Sequence, residues 1–163
     1  MLAFLRELSE VSAADPVGSL RRRNETIGDI DLVAATTDAK ATVAALRKAP
    51  FTRRTVVGGT GLTTILHESG FQIDIEFVPP SEYGSLLQHF TGGKEHNVAL
   101  RTWADDRGLS LSEKGIRTVR TGKLKTYKTE QAFYKALKMD WIPPELRENQ
   151  GELEAARAGK LPR

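Results

Sequence analysis

Three aspartates and one glycine-serine turn supply the residues of this chain best suited to chemistry. Gly18-Ser19 runs through Arg21-Arg22 into Gly28-Asp29-Ile30-Asp31, and a third aspartate follows in Gln72-Ile73-Asp74-Ile75-Glu76-Phe77. Successive side chains of a β-strand point to opposite faces, so Asp29 and Asp31 emerge side by side while Ile30 and Leu32 turn toward a core. Two carboxylates on one face invite a divalent cation. If the strand carrying Asp74 lies beside the first, three hard oxygen donors converge, which suits two magnesium ions about 3.5–4 Å apart for in-line phosphoryl chemistry. A Gly-Ser turn without bulk then brings backbone N–H groups and a hydroxyl against phosphate oxygens.

Each piece alone has an ordinary reading. Asp-x-Asp is often the wet face of a half-buried strand, Gly-Ser a plain turn, and Arg21-Arg22-Arg23 a solvated run. Their combination and order, with the third aspartate flanked by Ile73, Ile75 and Phe77, is what points to a site.

Composition sets the limits. A chain of 163 residues, 39% hydrophobic, suffices for one compact domain or two small lobes sharing a hinge. Absence of cysteine removes disulfides and zinc-thiolate sites and fits a reducing cytoplasm. No apolar stretch approaches the roughly 18–20 residues of a membrane span, so a soluble, cytoplasmic protein is expected. The net charge of +3 is uneven: residues 1–80 carry 9 Lys/Arg against 10 Asp/Glu, and residues 81–163 carry 15 against 11. Between Lys114 and Lys138, eight Lys/Arg, among them Lys123, Lys125 and Lys128, are opposed only by Glu130. Such a block suits a polyanion, or else is a well-hydrated hairpin and helix. Together with the aspartates it favours nucleic acid and nucleotide as partners.

Patterning places these residues on elements. Leu2, Leu5 and Leu8 predict a short amphipathic opening helix broken at Asp15-Pro16. Ile27 to Ala35 reads as a strand, and Asp38 caps an alanine-rich helix to Lys48. A hairpin spans 52–57 and 62–67 around Gly58-Gly59-Thr60-Gly61, and a strand runs from Phe71 to Val78. After Pro79-Pro80 come helices over 81–90 and 94–106, short strands at 109–111 and 116–119, and a helix from Thr129 to about Lys138. Ile142 to Arg147 reads as a stiff exit and 151–158 as a fraying helix. His67 and His96 lack metal-ligand spacing and read as ordinary polar positions.

Gly18-Ser19-Leu20-Arg21-Arg22, Gly28-Asp29-Ile30-Asp31, Ile73-Asp74-Ile75, Phe90-Thr91-Gly92 and Asn97-Val98-Ala99-Leu100-Arg101 resemble the catalytic core of the family X DNA polymerases, close to the bacterial branch. The resemblance covers nearly the whole chain in order and spacing. It implies an α+β fold: a polymerase beta-type nucleotidyltransferase palm, a mixed sheet with helices, over residues 1–80, then a small α/β nucleotide-selecting thumb lobe over 81–163 ending in a linker-like C-terminal helix. By this resemblance Asp29 and Asp31 bridge both Mg²⁺ ions, for which Mn²⁺ substitutes, and Asp74 binds the catalytic metal and helps deprotonate the primer 3′-hydroxyl. Gly18, Ser19, Arg22 and Gly28 match positions around the incoming triphosphate, Phe90 and Gly92 the segment against the nucleotide sugar, Asn97 the residue facing the nascent base pair, and Arg101 the one reaching the template.

Departures from the family pattern are local. His89 stands where animal enzymes place Tyr, and Val98 replaces a lysine near the template base. Lys94 replaces an acidic residue and either approaches the triphosphate or is a solvated lysine at a helix start. The lyase and helix-hairpin-helix region and the C-terminal phosphoesterase domain of family members have no counterpart here, which reads as an excised or minimal core. The expected activity is template-directed DNA synthesis in gap-filling repair, from dNTP onto primer-template or gapped DNA, by a monomer that is nucleoid-associated when on DNA. Two alternatives stay open: a template-independent or small-substrate nucleotidyltransferase, and a DNA-binding core inactive without further domains.

Overall fold

The computed structural model describes residues 1–24 and 30–162. Helix α1 (Leu2–Glu7) leads into strand β1 (Val11–Pro16), the single helical turn α2 (Gly18–Arg21), strand β2 (Ile30–Thr36) and helix α3 (Ala39–Lys48). Strands β3 (Thr52–Gly58), β4 (Leu62–His67) and β5 (Gln72–Val78) complete a five-stranded sheet in the order β1-β2-β5-β4-β3. The β2–β5 pair is parallel and the other pairs are antiparallel, so the sheet is mixed.

Alternation along the strands divides the sheet into two faces. On one, Leu32, Ala34, Ile65, Ile73, Ile75 and Phe77 bury themselves against Leu5 of α1 and Val43 and Leu46 of α3. The helix α3 starts as its sequence requires, with the Asp38 carboxylate accepting from the Ala41 N–H at 3.0 Å. On the other face, Val33 and Ala35 pack with Val17 and with Tyr83, Leu86 and Leu87 of helix α4 (Tyr83–Thr91).

The remaining chain builds a second centre of packing. Helix α5 (Lys94–Asp105), the three-stranded sheet of β6 (Leu109–Ser112), β7 (Gly115–Thr118) and β8 (Leu124–Lys125), helix α6 (Glu130–Ala136) and helix α7 (Glu152–Arg157) enclose Leu100, Ile116, Phe133, Tyr134, Leu137, Ile142, Leu153 and Ala156. Helix α4 joins the two centres. It packs on β2 and touches the start of α6, where the Gly84 N–H donates to the Tyr127 carbonyl at 2.9 Å.

Several elements differ from the pattern-based expectation. β1 carries Pro16 at its end, and the sequence places a break there. Because β1 is the outermost strand, a missing N–H at its tip costs the sheet little. The linker-like, fraying helix expected near the C-terminus is instead packed: Leu153 and Ala156 of α7 are 6% and 2% exposed, and the Glu152 carboxylate accepts from buried His96 at 2.6 Å and from the Asn149 and Gln150 N–H groups. Its amphipathic spacing finds a core, which a six-residue helix needs in order to persist. The segment 142–147 is packed as well, with Ile142 and Arg147 fully buried.

Candidate functional site

The parallel register of β2 and β5 sets Asp31 directly beside Asp74. Both are half-buried, while their neighbours Leu32, Ile73 and Ile75 are turned into the core on the opposite face. Paired positions of neighbouring strands share a face, so the two carboxylates project to the same side. Across the antiparallel register on the other side of β5, Thr64 of β4 pairs with Asp74, and its hydroxyl donates to Asp74 Oδ1 at 2.5 Å. Thr64 was not legible as a site residue in the sequence, because its role follows only from the β4–β5 register.

The glycine-serine turn lies against this pair. The Val17 N–H donates to the Asp31 carbonyl at 2.9 Å, and Gly18 has φ +63°, a left-handed conformation that favours glycine. A Cβ built on Gly18 would stand 3.9 Å from Asp31 Oδ2. Ser19 sits in α2, half-buried, so what reads as a turn is a single helical turn.

Charge accumulates on the same face. Glu76 lies two residues beyond Asp74; burial first, then the charges of Asp74, Asp31 and Glu113, raise its pKa above the ordinary carboxylate value. The donors present are carboxylate and hydroxyl oxygens, which suit a hard divalent cation. Asp29 and Gly28 lie outside the described residues. Among the described residues no group of three or more His, Cys, Asp or Glu is placed to hold a metal, so the geometry on hand is that of the Asp31 and Asp74 pair.

Behind the turn runs a buried ionic network. Arg21 of α2 donates twice to the Glu130 carboxylate, at 2.7 and 2.9 Å, and to the Thr91 hydroxyl at 2.7 Å. Arg147 donates to the same carboxylate at 2.8 Å and to the Ile142 carbonyl, and the Trp141 indole N–H adds a bond at 3.1 Å. Glu130 is 2% exposed; burial would raise its pKa, but the two guanidinium groups outweigh burial and hold it at about 2. Arg22 points its Nη1 at the Thr91 carbonyl, 2.6 Å away, with its Nε 3.4 Å from Glu148 in ion-pair range but without hydrogen-bond geometry. Arg21 and Arg22 are therefore tied into the packed interior, and of the arginine run Arg23 alone is solvated. A signal for this was present: Glu130 is the one acid in the basic block from 114 to 138.

The residues expected on the nucleotide side gather at the α4–α5 joint. Gly92 is buried, Phe90 packs half-buried against the Val17 and Val33 cluster, and Lys94 is exposed at the first turn of α5. Asn97 has both ends of its amide occupied, donating to the His89 carbonyl at 2.8 Å and accepting from Gln88 at 2.9 Å. Arg101, one turn further along α5, is exposed and lines a small niche with Gln88, His89 and Asn97. Lys123, Lys125 and Lys128 are all exposed; Lys125 Nζ lies 5.8 Å over the Tyr127 ring, whereas Lys128 flanks a cavity shared with Arg21 and Tyr83.

Residues 86–148 match the family described as DNA polymerase beta thumb. Over 152 residues, 92% of this chain, the sequence is 32% identical to the DNA polymerase/3′-5′ exonuclease PolX of Bacillus subtilis (strain 168). Both similarities support a family X DNA polymerase fragment. The chain spans 27% of that relative's length, and its mixed sheet with flanking helices is a polymerase beta-like α+β fold. Among the described residues no helix is long and apolar enough to cross a membrane.

Proposed function

We propose that this chain is a template-directed DNA nucleotidyltransferase core that joins dNTP to a primer 3′-hydroxyl, with a palm over residues 1–80 and a nucleotide-selecting lobe over 81–163. The observation carrying this reading is the registered pairing of Asp31 with Asp74 beside the Gly18 turn. The reaction forms a bond between the 3′-oxygen and the α-phosphorus, breaks the bond from the α-phosphorus to the bridging oxygen, and releases pyrophosphate. Bound divalent cations, Mg²⁺ or Mn²⁺, supply charge neutralisation at the reacting phosphates.

The chain's own residues supply position and proton acceptance. Asp31 and Asp74, with Asp29, hold the cations, and the Asp74 carboxylate takes the 3′-hydroxyl proton. Thr64 fixes the Asp74 rotamer by binding Oδ1. Gly18 and Ser19, with Gly28 and Arg22, take the triphosphate; Lys94 adds positive charge near it. Phe90 and Gly92 bound the sugar, Asn97 the base pair, and Arg101 the template. Lys123, Lys125 and Lys128 hold DNA backbone. Such positioning and electrostatic work accounts for most phosphoryl-transfer catalysis. The protein acts as a monomer in the cytoplasm, on gapped DNA in repair.

Primer extension on gapped DNA tests the assignment. Asp74→Asn abolishes extension in Mg²⁺ and Mn²⁺ while dNTP binding persists, and normal extension by that variant refutes it. Equal incorporation of all four nucleotides opposite a defined base points instead to a template-independent enzyme; DNA binding without turnover points to an inactive core.

A further inference from the structure

Asn97 is held at both ends of its amide, and what holds it leads back into the core of the second lobe. Its Nδ2 donates to the His89 carbonyl at 2.8 Å, and its Oδ1 accepts from Gln88 Nε2 at 2.9 Å. Gln88, near the end of α4, is 4% exposed. Behind it lie three more buried polar side chains, His96 of α5, Tyr134 of α6 and Glu152 of α7. His96 Nδ1 stands 2.6 Å from Glu152 Oε1, and its Nε2 stands 3.0 Å from the Tyr134 hydroxyl. That hydroxyl is hydrogen-bonded in turn to the Gln88 amide. Four helices thus contribute one link each.

The direction of every bond in this relay follows from its far end. Burial would raise the Glu152 pKa, but the His96 bond and the backbone N–H groups of Asn149 and Gln150 outweigh burial and hold it below the ordinary carboxylate value. Glu152 is therefore ionised and can only accept. Burial lowers the His96 pKa more than Glu152 raises it, which leaves a neutral ring with a single N–H. That N–H is on Nδ1, because Glu152 has no hydrogen to give, and Nε2 is left an acceptor. The Tyr134 phenol, pushed up to about 12 chiefly by burial, keeps its proton and donates it to Nε2. Its oxygen then takes a hydrogen from Gln88 Nε2, whose second hydrogen goes to Asn97 Oδ1. Among the described residues, this leaves Asn97 with one Nδ2 hydrogen that has no partner.

An asparagine amide without such support can turn over and offer its oxygen instead. Turned over here, Nδ2 would face Gln88 Nε2 and Oδ1 would face the His89 carbonyl, so two hydrogen bonds are lost and the flipped form falls to about one molecule in a hundred. A donor of fixed direction has a use in a site that takes all four nucleotides. At the major-groove edge the bases differ in their donors and acceptors, whereas at the minor-groove edge every base presents an acceptor, N3 of a purine or O2 of a pyrimidine. One N–H therefore serves every correct pair. We infer that Gln88 is a positioning residue for nucleotide selection: set in direction by Glu152, His96 and Tyr134, it holds the Asn97 N–H toward the minor-groove edge of the incoming nucleotide. The inference rests on the nucleotidyl-transfer reading and adds what orients its base-pair contact, a support that reaches as far as α7.

The test uses the full chain on a primer-template with thymine next to be copied, comparing dATP with 3-deaza-2′-deoxyadenosine triphosphate, in which C–H replaces the N3 acceptor. In steady-state extension wild type prefers dATP by about tenfold in kcat/KM, mostly through KM. Gln88→Met keeps the length of the side chain but donates nothing; it uses dATP about tenfold less well and discriminates between the two nucleotides by under about twofold. Tyr134→Phe removes the oxygen that orients Gln88 and lowers the preference to about threefold, so the comparison stands even where Gln88→Met does not fold. A merely structural role slows both nucleotides alike. A tenfold preference retained in the folded variants therefore overturns the inference, as does a wild type indifferent to the loss of N3. Nucleotide affinity on a dideoxy-terminated primer reads the same ratios without turnover. A preference for dATP in that binding assay with no extension sinks only the catalytic reading; normal extension with a preference that Gln88→Met leaves intact sinks only the role of Gln88.

Discussion

Replacing Glu130 by glutamine tests whether the buried network holds the Gly18-Ser19 turn to the rest of the molecule. The carboxylate is 2% exposed and receives Arg21 from α2, Arg147 from the segment after α6, and the Trp141 indole. Its pKa of about 2 against an ordinary 4.5 corresponds to about 3 kcal/mol of stability at neutral pH. Glu130→Gln keeps the shape and removes the charge, leaving Arg147 fully buried beside the Tyr134 ring and the Ile142 carbonyl without an anion. Removing one partner of a buried pair costs about 3–5 kcal/mol, a large part of an ordinary domain's stability. Urea denaturation at pH 7 should show that loss. The folded-state pKa is depressed, so the contribution is complete above about pH 4.5 and disappears as pH falls toward about 2. Wild type and Glu130→Gln therefore converge in stability across that window. A cost under about 1 kcal/mol at pH 7, or two pH profiles that run parallel between 4.5 and 2, refutes the reasoning.

Three further outcomes follow from named contacts. Gly84→Ala places a Cβ 2.2 Å from the Thr129 backbone, a close approach only glycine allows; α4 must separate from the start of α6, and a loss of about 3 kcal/mol or more is expected in thermal or urea unfolding. Thr64→Val removes the hydroxyl bound to Asp74 while keeping the shape, so kcat for primer extension should fall about tenfold or more with KM for dNTP little changed, read by steady-state kinetics. Changing Lys123, Lys125 and Lys128 together to Ala should weaken DNA binding and flatten its salt dependence by up to about three units of slope, and an unchanged slope would make that block a solubilising face.

Much of the fold was open to reading along the chain because its signals are local. The Asp38 cap, the Gly-rich hairpin turn and the alternation of Ile73, Ile75 and Phe77 around Asp74 each depend on neighbours within a few residues, and helix α3, the β3–β4 hairpin and β5 form where those signals fall. The strand β1 escaped because Asp15-Pro16 is a local break signal that only an edge position tolerates. Helix α7 read as a loose tail because its apolar residues have no partner until Leu100, Phe133 and Tyr134 are brought under them.

The sequence by itself determined the residue types of the site: aspartates spaced for one strand face, a turn without side-chain bulk, and a basic block. Only the tertiary structure decided which groups meet. Register between strands far apart in the chain put Asp31 beside Asp74 and handed Thr64 to Asp74. Folding likewise gathered Arg21, Glu130 and Arg147, separated along the chain, into one buried network. The physical reason is that a side chain's direction is set by its own backbone, whereas its partners, its dielectric and hence its charge state are set by whatever the rest of the chain packs around it.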